Sequence, residues 1–276
     1  MSRARARLAC AGWSYADWVG PFYAPGTPPS EWLRAYSRVF DSVEVDSTFY
    51  AQPSRDRVEE WARATPPGFT FAPKLPRSIT HDARLRGTED LVDSFLVALA
   101  PLLREGKLGP VVAQLPPSFR FEDHATLVGF LHAWPKDPPL AVELRHPSWW
   151  REETYETLRE SGAALTWGTS EAGRAPPVRT AGFVYARLIG DRALDAQGGR
   201  WTHVQRRQTA EIEHWRKHLG EALSLDPYTV WIIANNHFEG FAPETARALA
   251  DALDLLRPDI ERAARPPGQR GLGDFG

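Results

Sequence analysis

The chain is short of several things that would point to a particular life. It has one cysteine, Cys10, in 276 residues. An internal disulfide is therefore excluded, and a reducing, cytoplasmic setting is expected. No apolar run is long enough to span a bilayer. The basic start, Met1 to Arg7, is followed only by a short apolar stretch, Leu8 to Ala11, too brief for a secretory signal. Only four of 33 basic residues are Lys, and the formal charge is -2. A broad nucleic-acid surface and a membrane partner are both disfavoured, and oligomeric state is left open. There is no G-x-G-x-x-G after the first strand and no G-x-S-x-G, so neither a dinucleotide loop nor a nucleophile elbow can be argued. No His-x-His pair anchors a metal site.

What is there is alternation. Strand-like segments fall at 8–12, 42–46, 69–74, 111–115, 140–145, 163–167, 182–188 and 229–234. Helix-like segments fall near 30–39, 55–64, 89–104, 123–133, 149–161, 202–220 and 242–256. The stretch 168–181 is interrupted by Gly, Pro and Arg and suits no helix. Ser30, Ser54 and Thr88 stand where helix caps belong, and Glu89 and Asp90 follow Thr88 into the positive end of the helix dipole. Eight strands alternating with helices predict an α/β fold, a (β/α)8 TIM-type barrel. One domain is expected over 1–262, with a disordered Pro/Gly/Arg-rich tail over 263–276. An open doubly wound sheet is the alternative.

Several strands carry charge where strands usually carry core. Ser42-Val43-Glu44-Val45-Asp46 alternates apolar and acidic, and Ala141-Val142-Glu143-Leu144-Arg145 alternates apolar with an acid and a base. Side chains alternate faces with period two. If Val43 and Val45 pack on helices, Glu44 and Asp46 point inward. The same parity turns Lys74, Gln114, Glu143, Arg145, Tyr185 and Arg187 inward. These positions cluster at strand C-terminal ends, where barrels carry their sites. Three acids face three bases. Burying such charge costs several kcal/mol per ion, roughly offset by pairing at best, so function is favoured over stability as its reason.

This pattern predicts an enzyme for a small anionic substrate, with phosphorylated molecules among the candidates. Lys74, Arg145 and Arg187 would hold the anion. Glu143 or Glu44 would serve as general acid or base, with His146 a further catalytic candidate that competes with an end-cap role. Gln114, Asn235, Asn236 and Asp46 would orient the substrate. Trp13 and Tyr50 could stack on a ring, as could Trp18 and Trp149, although Trp at such junctions is more often core. No cofactor is expected. A divalent metal is the weaker alternative, with His146, His237, Asp46, Glu44 and Glu143 as ligands beside three repelling cations. Nucleic-acid processing and non-catalytic ligand binding complete the alternatives. His81 follows a strand and could reach the mouth or fix a loop.

Motifs spread along the chain resemble the YecE-like family, catalogued as domain of unknown function seventy-two. They are GWSYADW (Gly12 to Trp18), Phe22-Tyr23, VEVDSTFYAQPS (Val43 to Ser54), FAPKLPRSITH (Phe71 to His81), GPVVAQLPPSF (Gly109 to Phe119), AVELRHPSW (Ala141 to Trp149), YARLIG (Tyr185 to Gly190) and ANNH (Ala234 to His237). The resemblance implies a TIM-type barrel and no particular chemistry. The family often has Asn-Asn-Asp where this chain has Asn235-Asn236-His237, and an Asn near Thr245.

Overall fold

Parallel strands and the helices between them build the molecule, a computed structural model that describes residues 4–170, 173–190, 193–194, 199–225 and 228–264. The strands are β1 (Arg5–Cys10), β2 (Ser42–Val45), β3 (Thr70–Pro73), β4 (Val111–Gln114), β5 (Leu140–Glu143), β6 (Ala164–Ser170), β7 (Gly173–Ala175), β8 (Phe183–Leu188) and β9 (Thr229–Ala234). All but β7 match an expected strand within a few residues. The helices are α1 (Trp32–Tyr36), α2 (Ser47–Tyr50), α3 (Arg55–Ala64), α4 (Glu89–Arg104), α5 (His124–Ala133), α6 (Glu152–Ser161), α7 (Thr209–Leu223), α8 (Asn236–Glu239) and α9 (Ala242–Ala252).

Local chemistry explains the best-placed helices. The Ser54 side chain accepts from the Arg57 amide and starts α3, which buries Val58, Trp61 and Ala62. α4 opens on Glu89 and Asp90 and buries Val92, Phe95, Leu99 and Leu102 at helical spacing. α6 stops at Gly162, which takes the left-handed conformation.

The sheet is parallel and curled, in two pieces. One runs β1-β9-β8-β6-β5-β4, with β7 antiparallel on β6, and the other is β2-β3. Between the pieces, ladders give way to isolated bridges. Ala11 meets Glu44 at one seam, and Phe71 and Lys74 meet Leu108 and Val112 at the other. The Gly12 amide donates to the Glu44 carbonyl at 2.8 Å, and the Leu75 amide to the Val112 carbonyl at 2.9 Å.

Parity assigns the faces as expected. Val43, Val45, Val111 and Val142 join the large core under the helices. Ala9, Ala72, Val112, Ala141, Ala164, Tyr185 and Ile233 form a second apolar cluster on the other face. Small residues there let the curled strands approach closely. Gly168 shows how closely: its φ is +146°, and an added Cβ would lie 2.0 Å from the Arg187 carbonyl oxygen on β8.

Some expectations need correcting. The helix expected over 202–220 begins only at Thr209. Glu239, fully buried, takes that segment instead: its backbone oxygen accepts from the Gln205 and Arg206 amides, and its side chain from the Gln208 amide at 2.8 Å. These tertiary bonds satisfy amides that a longer helix would otherwise have used. The helix expected over 30–39 is reduced to a 3-10 turn, Pro29–Glu31, and α1. Helix 242–256 stops at Ala252. The stretch after β6 folds back as the β6–β7 hairpin, pinned where Thr169 donates to Glu211 of α7 at 2.8 Å and Glu211 pairs with Arg174. Most of the tail expected to be disordered lies outside the described residues.

Candidate functional site

The inward charges meet at one end of the curled sheet and form a connected network. Arg187 of β8 donates to Glu44 Oε1 at 2.7 Å and, through its other terminal nitrogen, to Glu143 Oε2. Tyr185 donates its hydroxyl to Glu44 Oε2 at 2.8 Å. Gln114 donates to Glu143 Oε1 at 2.9 Å and accepts from Lys74 Nζ at 3.1 Å. Lys74 also pairs with Asp46 at 3.2 Å. Arg145 Nε lies 4.0 Å from Glu143. The relay from Asp46 through Lys74, Gln114, Glu143 and Arg187 to Glu44 draws residues from five strands or their ends.

Burial and charge set the protonation states. Burial would raise both Asp46 and Glu143, but the cations outweigh it. Lys74 and Arg187 hold Asp46 below the usual carboxylate range. Arg187, the Gln114 hydrogen bond, Lys74 and Arg145 do the same for Glu143. Glu44 goes the other way. Full burial pushes it up, and Arg187 only partly counters this, with Asp46 adding repulsion. Burial would weaken the Arg187 proton, yet Glu44, Glu143 and Asp46 raise its pKa well above the usual value. Burial and then Glu44 likewise raise Tyr185.

Above the network opens a cavity of about 230 Å3, lined by Tyr15, Asp46, Tyr50, Lys74, Gln114, Glu143, Arg145, Arg187, Ile189, Gly190, Asn235 and His237. Exposure is graded among the cations: the side chain of Arg145 is 17% exposed, Lys74 8% and Arg187 3%. Among the acids, Asp46 is 27% exposed, Glu143 8% and Glu44 not at all.

The structure thus brings together Lys74, Arg145, Arg187, Gln114, Glu143, Asp46, Asn235 and Tyr50. Glu44 lies beneath them, against Arg187. Three other candidates stand apart from the cavity lining. The Nδ1 of His146 accepts from the Ser148 amide at 3.1 Å and caps the turn Pro147–Trp149. The Asn236 Oδ1 accepts from the Ala242 amide at 2.9 Å, which ties down the start of α9. Trp13, half-buried, packs edge-on against Trp61 and Phe71 at the border of the large core. Trp18 and Trp149 are fully buried, and Trp149 stacks on Phe119.

Parity missed Tyr15, Ile189 and Gly190, because they lie past the strand ends. Tyr15 donates to the Ala11 carbonyl at 2.6 Å, which holds its ring over the mouth. His237 lines the cavity where the resembling family often has Asp. Its backbone amide and Nδ1 both lie on Asn235 Oδ1, at 3.0 and 2.7 Å, so that Nδ1 carries the proton. His81 sits edge-on to Phe49, whose ring also meets Lys74 Nζ at 4.9 Å. Among the described residues, no group of three or more His, Cys, Asp or Glu is placed to hold a metal ion. Nor is any described helix long and apolar enough to cross a membrane.

A curled parallel sheet with a charged relay at one end defines an α/β protein with a polar, cation-rich mouth. The chain belongs to the family described as protein of unknown function DUF72, whose model matches residues 7–270. It is 31% identical over 272 residues to UPF0759 protein YunF of Bacillus subtilis, covering 90% of this chain and 94% of that protein. It is 34% identical over 147 residues to UPF0759 protein YecE of Escherichia coli K12, covering 53% and 51%. The crystal structure of a DUF72 family protein from Thermotoga maritima superposes with a TM-score of 0.76 at 30% identity, over 91% of this chain and 99% of that one.

Proposed function

We propose that the protein binds a small oxyanion, such as a phosphate ester, in the cavity above the relay, and acts on it by acid–base chemistry. The observation that carries this reading is the graded exposure of three cations on one cavity. Arg145 stands nearest solvent, with Lys74 and Arg187 behind it. A guanidinium at a half-open mouth suits bidentate contact with an oxyanion. Gln114 and Asn235 supply neutral polar contacts, and Tyr50, 78% exposed at the rim, supplies a face for a ring or sugar. Asp46 and Glu143 are the carboxylates that a solute could reach; Glu44 sets the charge of Arg187 from below. The frame is read as one domain shaped as a (β/α)8-type barrel whose ring is carried across two seams by isolated bridges.

Calorimetric titration with orthophosphate at low ionic strength tests the binding step. Wild type is expected to bind, and Arg145→Ala to bind at least about tenfold more weakly, the scale of a lost charge-assisted contact. Wild type that ignores phosphate and sulfate alike sinks the reading, as does an Arg145→Ala variant that binds unchanged.

A further inference from the structure

A second, smaller cavity lies behind the first and shares Glu143, Arg145, Arg187 and Ile189 with it. Its other walls come from the β6–β7 hairpin, with Thr166, Gly168 and Gly173, and from Trp150. It has about 20 Å3 of room for the centre of a water molecule. Any such room for its centre admits a water, which also needs two to four polar partners.

Those partners are present. The Thr166 hydroxyl, the Trp150 Nε1 and the Arg187 Nε are each buried, and none has a hydrogen-bond partner among the described residues. All three residues line this one cavity. Three buried polar groups without partners in one place are uncommon, because each costs free energy comparable to a lost hydrogen bond. Two of them, Trp150 Nε1 and Arg187 Nε, can only donate. Whatever completes the site must accept hydrogen bonds from both, in a cavity of water-molecule scale. A metal cation or an ammonium is ruled out by that donor set, and an apolar group would leave all three unpaired.

We infer that this side cavity is a built site for one ordered water, which accepts from Trp150 Nε1 and Arg187 Nε and meets the Thr166 hydroxyl beside Glu143. Its consequence for binding is structural first. The water completes the hydrogen bonding of Arg187, whose terminal nitrogens are already committed to Glu44 and Glu143, and so fixes the guanidinium at the floor of the main cavity. A use of that water as a reactant, next to a solute held by Arg145, rests on the oxyanion reading above; the water site itself does not.

Crystal structures of wild type, Trp150→Phe, Thr166→Val and Thr166→Ser at high resolution test it. Wild type and Thr166→Ser should show one ordered water within about 2.7–3.2 Å of the three atoms or their equivalents. Trp150→Phe and Thr166→Val should each weaken or abolish the peak. A dry cavity in wild type, with the side chains turned to pair with one another, overturns the inference, and so does a peak unchanged in both variants. If the water is present but orthophosphate does not bind, the oxyanion reading falls and the water site stands.

Discussion

Arg187 and Glu44 lie 143 positions apart in the chain and meet at 2.7 Å, with the arginine side chain 3% exposed and the glutamate fully buried. Each belongs to a different piece of the sheet. The pair sits at the centre of the relay, so its removal is the most direct probe of what the relay does.

Arg187→Met leaves Glu44 and Glu143 buried without their main cation. Breaking one side of a buried pair typically costs about 3–5 kcal/mol. Urea unfolding of Arg187→Met is expected to show a loss of that order. Adding Glu44→Gln to Arg187→Met should return part of it, because fewer unpaired charges remain. Additive losses in this double-mutant cycle would show that the two side chains are not energetically coupled.

The acid-range stability of the protein should reflect opposing carboxylates. Asp46 and Glu143 have lowered pKa values, so their stabilisation is present above the unfolded value and lost as pH falls through the folded one. Glu44 has a raised pKa, so the folded state holds its proton more tightly and stability falls as pH rises through that range. The groups facing Glu44 are Arg187, Tyr185, Asp46 and Lys74. Glu44→Gln removes the opposing contribution while leaving the Asp46 and Glu143 carboxylates in place. Its stability relative to wild type should therefore improve from about pH 4.5 upward, and stability measured against pH in both proteins checks the sign. A relative loss over that range would place Glu44 with the other two acids.

His81 should stay neutral across the physiological range. Burial, followed by Arg77, Arg145 and Lys74, lowers its pKa to about 4. An NMR titration of the ring is expected to show no protonation between pH 6 and 8. The Arg145→Ala variant should raise the midpoint, since it removes one of the three cations. A midpoint near the ordinary 6.5 in wild type would mean that the ring is solvated and away from the cations.

Gly168→Ala should damage the sheet itself. The new methyl would press on the Arg187 carbonyl oxygen, and φ at this position is one that side chains rarely adopt. A loss of about 3 kcal/mol or more is expected from strain and overpacking together, read as a lower melting temperature. Gly162→Ala meets no neighbouring atom at its Cβ and should cost about 1 kcal/mol, for backbone strain alone.

The relay was legible because β-strands alternate with period two. Val43 and Val45 on one face oblige Glu44 and Asp46 to the other, and the same holds for Val142 and Glu143. Helix α3 was legible because its Ser54 cap and apolar spacing agreed; α4 was legible from its apolar spacing and first-turn acids, although the Thr88 side chain makes no cap bond and Ser30 caps no helix. Other features depended on contacts between distant segments. Nothing local in 202–208 announces that Glu239 will take its amides. Trp13 follows a strand end, where binding aromatics also stand, and only packing against Trp61 and Phe71 settles its place. Tyr15 carries no parity, since it lies in a loop; its neighbours in the Gly12 to Trp18 motif were the only signal. The β6–β7 hairpin was visible only as a failure of helical patterning.

The two seams in the sheet give the relay a mechanical meaning. Glu44, Asp46 and Lys74 ride on β2, β3 and their ends. Gln114, Glu143 and Arg187 ride on the seven-stranded piece. The contacts Arg187–Glu44 and Lys74–Gln114 therefore cross from one piece to the other, where backbone bridges are few. The relay works as a clasp, fastening by charge what the backbone joins only in places. A solute that competes for Arg187 or Lys74 also pulls on the clasp, so occupancy of the mouth and cohesion of the sheet are coupled. Faster amide exchange along β2 and β3 in Arg187→Met than in wild type would show the clasp undone.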